Sequence, residues 1–266
     1  MKIALYVPEW PPGSSANGIV TYASYLVPAL RERGHKVFVL TFNVRGMSTD
    51  PYLLRLEETE GHDSRPLWHR IQAWLRPTSR IHNTRAQVIL KAIRALAASE
   101  SIDVFEIEET FGWSAAVSSA EVVPVVVRLH GPSFLTGRFD DAQKATLDFR
   151  SKREGLGITG ATFVTSPSIA SLTAVRDHYR TSLERAMVIP NCIELYDERF
   201  LWALDSYDQN RILFVGRFDR LKGGDIVLQA FAELATANPE LRLTFVGPDK
   251  GVSQGTTYAS DERRLV

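Results

Sequence analysis

Cysteine is almost missing from this chain. Cys192 is the single one in 266 residues, so no internal disulfide can form, and no CxxC pair or histidine cluster offers metal-ligand spacing. A reducing cytoplasm is the setting that this usage suggests. Net charge is missing too: 31 basic and 31 acidic side chains cancel, which argues against a dedicated nucleic-acid binder. Long hydrophobic runs are also lacking. The first run, Ile3 to Val7, stops at Pro8 and is too short for the apolar region of a signal peptide. No stretch approaches the roughly 20 apolar residues of a membrane span, so any membrane contact would come from the side. There is no G-x-G-x-x-G after the first strand, and no serine nucleophile elbow, P-loop lysine motif, EF-hand or zinc motif. The first of these absences disfavours a dinucleotide-dependent oxidoreductase; nothing in the residues calls for a metal or a cofactor.

What is present is an alternation of short apolar runs with helical patterns. Ile3 to Val7 reads as a strand, followed by a loop rich in turn formers up to Gly18. Val20, Ala23, Val27 and Leu30 then recur at helical spacing as far as Arg33-Gly34, with Pro28 expected to kink the helix. Lys36 to Thr41 is the second strand, completing a βαβ opening. Further strands are expected at Asp103 to Ile107, Val122 to Leu129, Ala161 to Thr165 and Met187 to Ile189, with a long helix from about Thr84 to Ala98 and a helix capped by Ser168. Arg138 to Glu154 is polar and reads as a mobile cover on the acceptor side.

Gly18 is a candidate phosphate contact, because a glycine at a helix start lets backbone N–H groups approach a diphosphate; a glycine needed only for a tight turn fits as well. Glu108 and Glu109, just past a strand end, are expected at the rim of a crevice. His130, delivered by the most β-branched run, is the best candidate for a substrate contact, with a structural histidine as the alternative. From Arg65 to Arg94 the chain carries seven cations and no acid, with Trp68 and Trp74 between them. Such a segment suits an anionic membrane surface, or equally a solvated helix face.

Near 200 to 210 the pattern lapses into a polar linker, and a second α/β unit begins. Its strand Ile212 to Val215 ends at Gly216, after which Arg217 and Lys222 precede a helix starting at about Asp225. A diphosphate would sit there, between a guanidinium fork, a point charge and helix N–H groups. Plain surface charge on a loop is the competing account.

Several of these segments resemble family 4 of the retaining glycosyltransferases. They are Val215-Gly216-Arg217 with Lys222-Gly223, the helix through Ala230-Phe231, the strand ending Phe245-Val246-Gly247, Asn17-Gly18-Ile19-Val20 leading to Arg33-Gly34-His35, and Pro190-Asn191-Cys192-Ile193-Glu194. Asn17, Cys192 and Glu194 depart from the family's usual Gly, Gly and Asp; asparagine tolerates positive φ in place of the first. The resemblance implies an α/β protein of the GT-B type: a first Rossmann-like domain over 1–200 on the acceptor side, and an incomplete nucleotide-sugar-binding domain over 201–266. It implies diphosphate binding by Arg217 and Lys222 together with Gly18, and a catalytic-site position for His130 close to the reacting sugar. The implied partners are a nucleotide-sugar donor and a carbohydrate or lipid-linked acceptor, with no nucleic acid. The expected location is cytoplasmic, with peripheral contact at the inner face of the membrane through the basic segment. The family's Glu-x7-Glu pair is missing from the second domain, so the chain is expected to be cut short there and inactive by itself. A non-catalytic fragment or accessory subunit is the alternative.

Overall fold

Apolar strands buried on both faces need a layer of helices on each side, and the first part of the chain supplies both layers. The computed structural model describes residues 1–13, 17–57, 77–137, 144–195, 197, 199, 203 and 207–251, with the backbone alone for 77–83 and 251. The chain divides into two units, Met1–Ile193 and Glu194–Val266.

In the first unit β1 (Lys2–Tyr6), β2 (Lys36–Thr41), β3 (Leu53–Arg55), β4 (Val104–Glu108), β5 (Val125–Arg128), β6 (Phe163–Ser166) and β7 (Ala186–Val188) form one parallel sheet in the order β3-β2-β1-β4-β5-β6-β7. Ile3 pairs with Val37 on one side and Val104 on the other. Successive side chains alternate between two cores, as the period of a strand requires. Leu5, Val7, Val37 and Val39 meet α1 (Gly18–Glu32) through Val20, Ala23 and Val27. Ala4, Tyr6, Phe38 and Leu40 face the other way, toward Ile89 and Ile93 of α2 (Pro77–Glu100). The strand order reverses between β1 and β4, so the crevice beyond their carboxyl ends is the expected ligand position in such a sheet.

The remaining helices of this unit are α3 (Ser114–Ser119), the single turn α4 (Ser133–Thr136), α5 (Lys144–Thr159) and α6 (Ile169–Tyr179). Helix α5 overturns the expectation of a mobile cover for residues 144–154 of that stretch, while residues 138–143 lie outside the described residues. Among its described residues Ser151, Glu154, Gly155, Gly157 and Ile158 are buried. A Cβ on Gly157 would collide with the Ser114 hydroxyl and one on Gly155 would lie 2.5 Å from the Tyr179 ring, so small size rather than hydrophobicity seats this helix. That is why a hydrophobic pattern does not reveal it. Helix α1 runs on through Pro28, which sits on its exposed side. Ser168 caps α6 as expected, accepting from the Ser171 N–H at 3.2 Å. β3 is an unexpected strand, too short at three residues to show a period.

In the second unit β8 (Arg211–Val215) pairs in parallel with β10 (Arg242–Val246), and α7 (Gly224–Ala237) connects them. A second, shorter parallel pair joins β9 (Phe218–Asp219) to β11 (Asp249–Gly251). β11 corrects the expectation that no strand follows Gly247; residues 252–266 lie outside the described residues.

Candidate functional site

Gly18 is the first residue of α1, at the carboxyl edge of β1. Its backbone does not adopt positive φ, and a Cβ placed on it would meet nothing within 4 Å. The turn therefore does not require glycine, and the space in front of it is open. Asn17 contradicts the idea of a residue tolerated at positive φ. Its backbone is extended (φ −121°), and its Oδ1 accepts the Ile19 N–H at 3.0 Å as an ordinary helix cap. A phosphate at this helix start would use the N–H groups that the cap leaves, those of Gly18 and Val20, or displace the cap from Ile19.

His130 follows β5, and its ring meets Tyr22 of α1 edge-on with centroids 5.1 Å apart. The fold thus brings Gly18 and His130 to the same edge of the sheet. Burial, assisted by the nearby Arg128 guanidinium, pushes the His130 imidazole down to about 4, so it is neutral at pH 7. A neutral ring offers one donor and one acceptor to a sugar hydroxyl without adding charge.

Beneath His130 the structure corrects the expectation of carboxylates on the rim, because Glu108 and Glu109 are buried. Glu109 accepts the N–H groups of His130 (2.9 Å) and Gly131 (2.6 Å). Burial pushes its carboxyl up to about 7 against the pull of these N–H bonds. Glu154 of α5 takes the Ser133 N–H at 2.7 Å and its hydroxyl at 2.6 Å. Two carboxylates therefore hold the turn that carries His130.

Tyr22 donates to Glu106 at 2.9 Å, and burial, followed by the Glu106 charge, pushes its phenol well up. The Arg128 guanidinium lies 4.8 Å from the Tyr22 ring centroid and donates to Asn191 at 2.6 Å. Arg128 is one of the largest fully buried side chains, and it ties the end of β5 to the segment after β7. A cavity of about 10 Å³ lies among Tyr6, Tyr22, Glu106, Glu108, Arg128 and His130. An open cavity of about 230 Å³ occurs at the amino ends of β6 and β7, the opposite end of the sheet from the crevice.

Arg217 and Lys222 lie in the second unit, on the loop between β8 and α7. The Arg217 Nε contacts Asp219 Oδ2 at 3.0 Å, while the Lys222 N–H donates to Asp219 Oδ1 at 2.8 Å. One carboxylate therefore meets the Arg217 side chain and the Lys222 main chain. The basic stretch Arg65 to Arg94 falls partly outside the described residues. Within α2, Arg85 lies over the rings of Phe42 (4.9 Å) and Trp113 (5.7 Å), while Lys91 and Arg94 are exposed. Among the described residues no three or more His, Cys, Asp or Glu cluster to hold a metal ion, and no helix is long and apolar enough to cross a membrane.

The residues that sequence reasoning missed are Glu109 as a buried anchor, Tyr22, Arg128 and Asp219. The only signal for Asp219 was an acid flanked at two and three residues by the cations; for the others, contacts across 21 to 84 residues carry the information.

The family model of Glycosyltransferase Family 4 matches residues 16–196. No curated protein matches the sequence significantly. WaaG, a glycosyltransferase involved in lipopolysaccharide biosynthesis, is 15% identical with a TM-score of 0.58, over 93% of this chain and 64% of that one. The catalytic domain of starch synthase IV from Arabidopsis thaliana, bound to ADP and acarbose, is 11% identical with a TM-score of 0.53, over 94% and 69%. S. aureus MnaA with UDP is 15% identical with a TM-score of 0.51, over 95% and 63%. The likeness establishes the α/β fold of the GT-B type, and the chain spans about three fifths of the length of the first structures it matches, 61% and 64%.

Proposed function

The chain belongs to Glycosyltransferase Family 4, and from that membership we propose that it transfers a sugar from a nucleoside-diphosphate donor to an acceptor hydroxyl with retained anomeric configuration. The observation that carries this reading is the loop after β8, where Arg217 and Lys222 stand at a strand's carboxyl end just before a helix start. These are the groups that stabilise negative charge growing on a departing diphosphate. In the first unit we propose the N–H groups at Gly18 as a diphosphate contact and neutral His130 as a contact to the reacting sugar. Two similar structures hold UDP and ADP, which supports a nucleoside diphosphate as the common ligand chemistry.

Losing one charge-assisted phosphate contact costs about 1.5 to 3 kcal/mol, roughly ten- to a hundredfold in affinity. Calorimetry with UDP and ADP on Arg217→Ala and Lys222→Ala should read that loss. Affinity equal to that of the unaltered chain would sink the assignment.

The acceptor side is proposed to take a carbohydrate or lipid-linked hydroxyl, with the basic segment resting on anionic lipid from the cytoplasmic face. Vesicle binding should then require acidic lipid, weaken as salt rises, and fall when Arg70 and Arg76 are replaced. Equal sedimentation with neutral vesicles returns the segment to a solvated helix face.

A further inference from the structure

We infer that Asp219 is the positioning residue of the diphosphate site, setting both cations at once; this rests on the donor reading above. Its carboxylate takes two different groups. Oδ2 forms an ion pair with the Arg217 guanidinium, nearest at Nε, and Oδ1 holds the Lys222 main chain through its N–H. A guanidinium whose ion-pair contact is nearest at Nε keeps its two terminal nitrogens for a bidentate contact, the geometry that a phosphate needs. Fixing the Lys222 backbone fixes where its flexible stem starts.

Asp219 is itself well placed to hold them. Its side chain is only 15% exposed, against 34% for Arg217, and it lies on β9 rather than in open loop. The neighbouring Phe218 is buried edge-on against Phe245 with centroids 5.0 Å apart, and its N–H donates to the Pro248 carbonyl at 2.9 Å. The anchor is therefore more rigid than the groups it orients, as positioning requires.

The sign of one measurement separates this role from simple electrostatics. A carboxylate beside a diphosphate repels it, so if charge alone mattered, neutralising Asp219 would tighten binding. If Asp219 positions the cations, neutralising it loosens the Arg217 side chain and the backbone from which the Lys222 stem starts, both of which must then be ordered on binding, and affinity falls.

The experiment is calorimetry of the 266-residue chain with UDP, ADP and inorganic pyrophosphate, using Asp219→Asn, Arg217→Ala, Lys222→Ala and the Arg217→Ala/Asp219→Asn pair. Asp219→Asn should weaken all three probes on the order of tenfold, and by much less in the Arg217→Ala background, because the two act through one contact. Unchanged or tighter binding in Asp219→Asn overturns the role, as does an equal loss with and without Arg217. Should Asp219→Asn unfold the second unit, Asp219→Glu decides: it keeps the charge and displaces the oxygens, so a folded variant with lowered affinity supports the role and one with full affinity overturns it. If Arg217→Ala and Lys222→Ala leave binding intact, the donor reading itself fails. If they weaken it while Asp219→Asn does not, the role of Asp219 alone fails.

Discussion

The strands of the two units have similar sequences and opposite surroundings. In the first unit Ala4, Val37, Val125 and Ile107 are fully buried, whereas in the second Leu213 is 59% and Val215 70% exposed. Both sets belong to apolar runs of parallel strands. An apolar run reports that a strand can be buried; the layers packed on it decide whether it is. The difference carries over to the candidate residues of each unit. His130 and Glu109 work in a desolvated setting where burial moves their protonation, while Arg217 and Lys222 sit on a loop open to solvent.

The comparison is most directly broken by truncating a strand residue on each side. Ile107→Ala should destabilise the first unit by about 2 to 5 kcal/mol, a transfer loss plus a cavity, as read by urea unfolding. Val215→Ala in the same assay should stay within about 0.5 kcal/mol. A large loss at Val215 would mean that this face is covered in solution and that the contrast between the units is false.

Glu109 sharpens the contrast through pH. Its folded carboxyl titrates near 7 and its unfolded one near the usual 4.5, so the folded chain binds more protons between these values and stability falls as pH rises through that window. His130 works the other way: depressed to about 4 from 6.5, it makes stability rise with pH over its own window. Glu109→Gln should therefore weaken the falling contribution, to which the carboxyls of Glu106, Glu108 and Glu154, also raised by burial, add with the same sign, a change visible in melting temperatures from pH 4.5 to 7. An unaltered pH profile would show that the Glu109 carboxyl titrates normally.

A modest effect is expected at the cap of α1. Asn17→Ala should cost about 1 kcal/mol, and Asn17→Gly only a few tenths, because glycine is itself accepted at that position. If Asn17→Gly also raises diphosphate affinity, the asparagine oxygen competes with phosphate for the Ile19 N–H.

Much of the scaffold was legible without coordinates. Every long β-branched or apolar run became a strand, β1 and β2 within a residue or two of their expected ends, because such residues in a parallel sheet are buried on both faces and leave a continuous signal. Short elements such as β3, β9 and β11 were not legible, since two or three residues cannot display a period. Helix α5 escaped for another reason: its seat depends on glycines fitting against Ser114 and Tyr179, a matter of shape.

By itself the sequence determined the alternation of strands and helices, the strand ends at which Gly18, His130, Arg217 and Lys222 fall, and the family resemblance of their motifs. Those are local properties, written in spacing and residue type over a dozen positions. Only the tertiary structure decided that Glu109 turns inward to hold the His130 turn, that Arg128 reaches Asn191, and that Tyr22 backs the imidazole. Each of these joins residues far apart in the chain, and burial, which sets their charge states, is a property of the packed layers rather than of any segment.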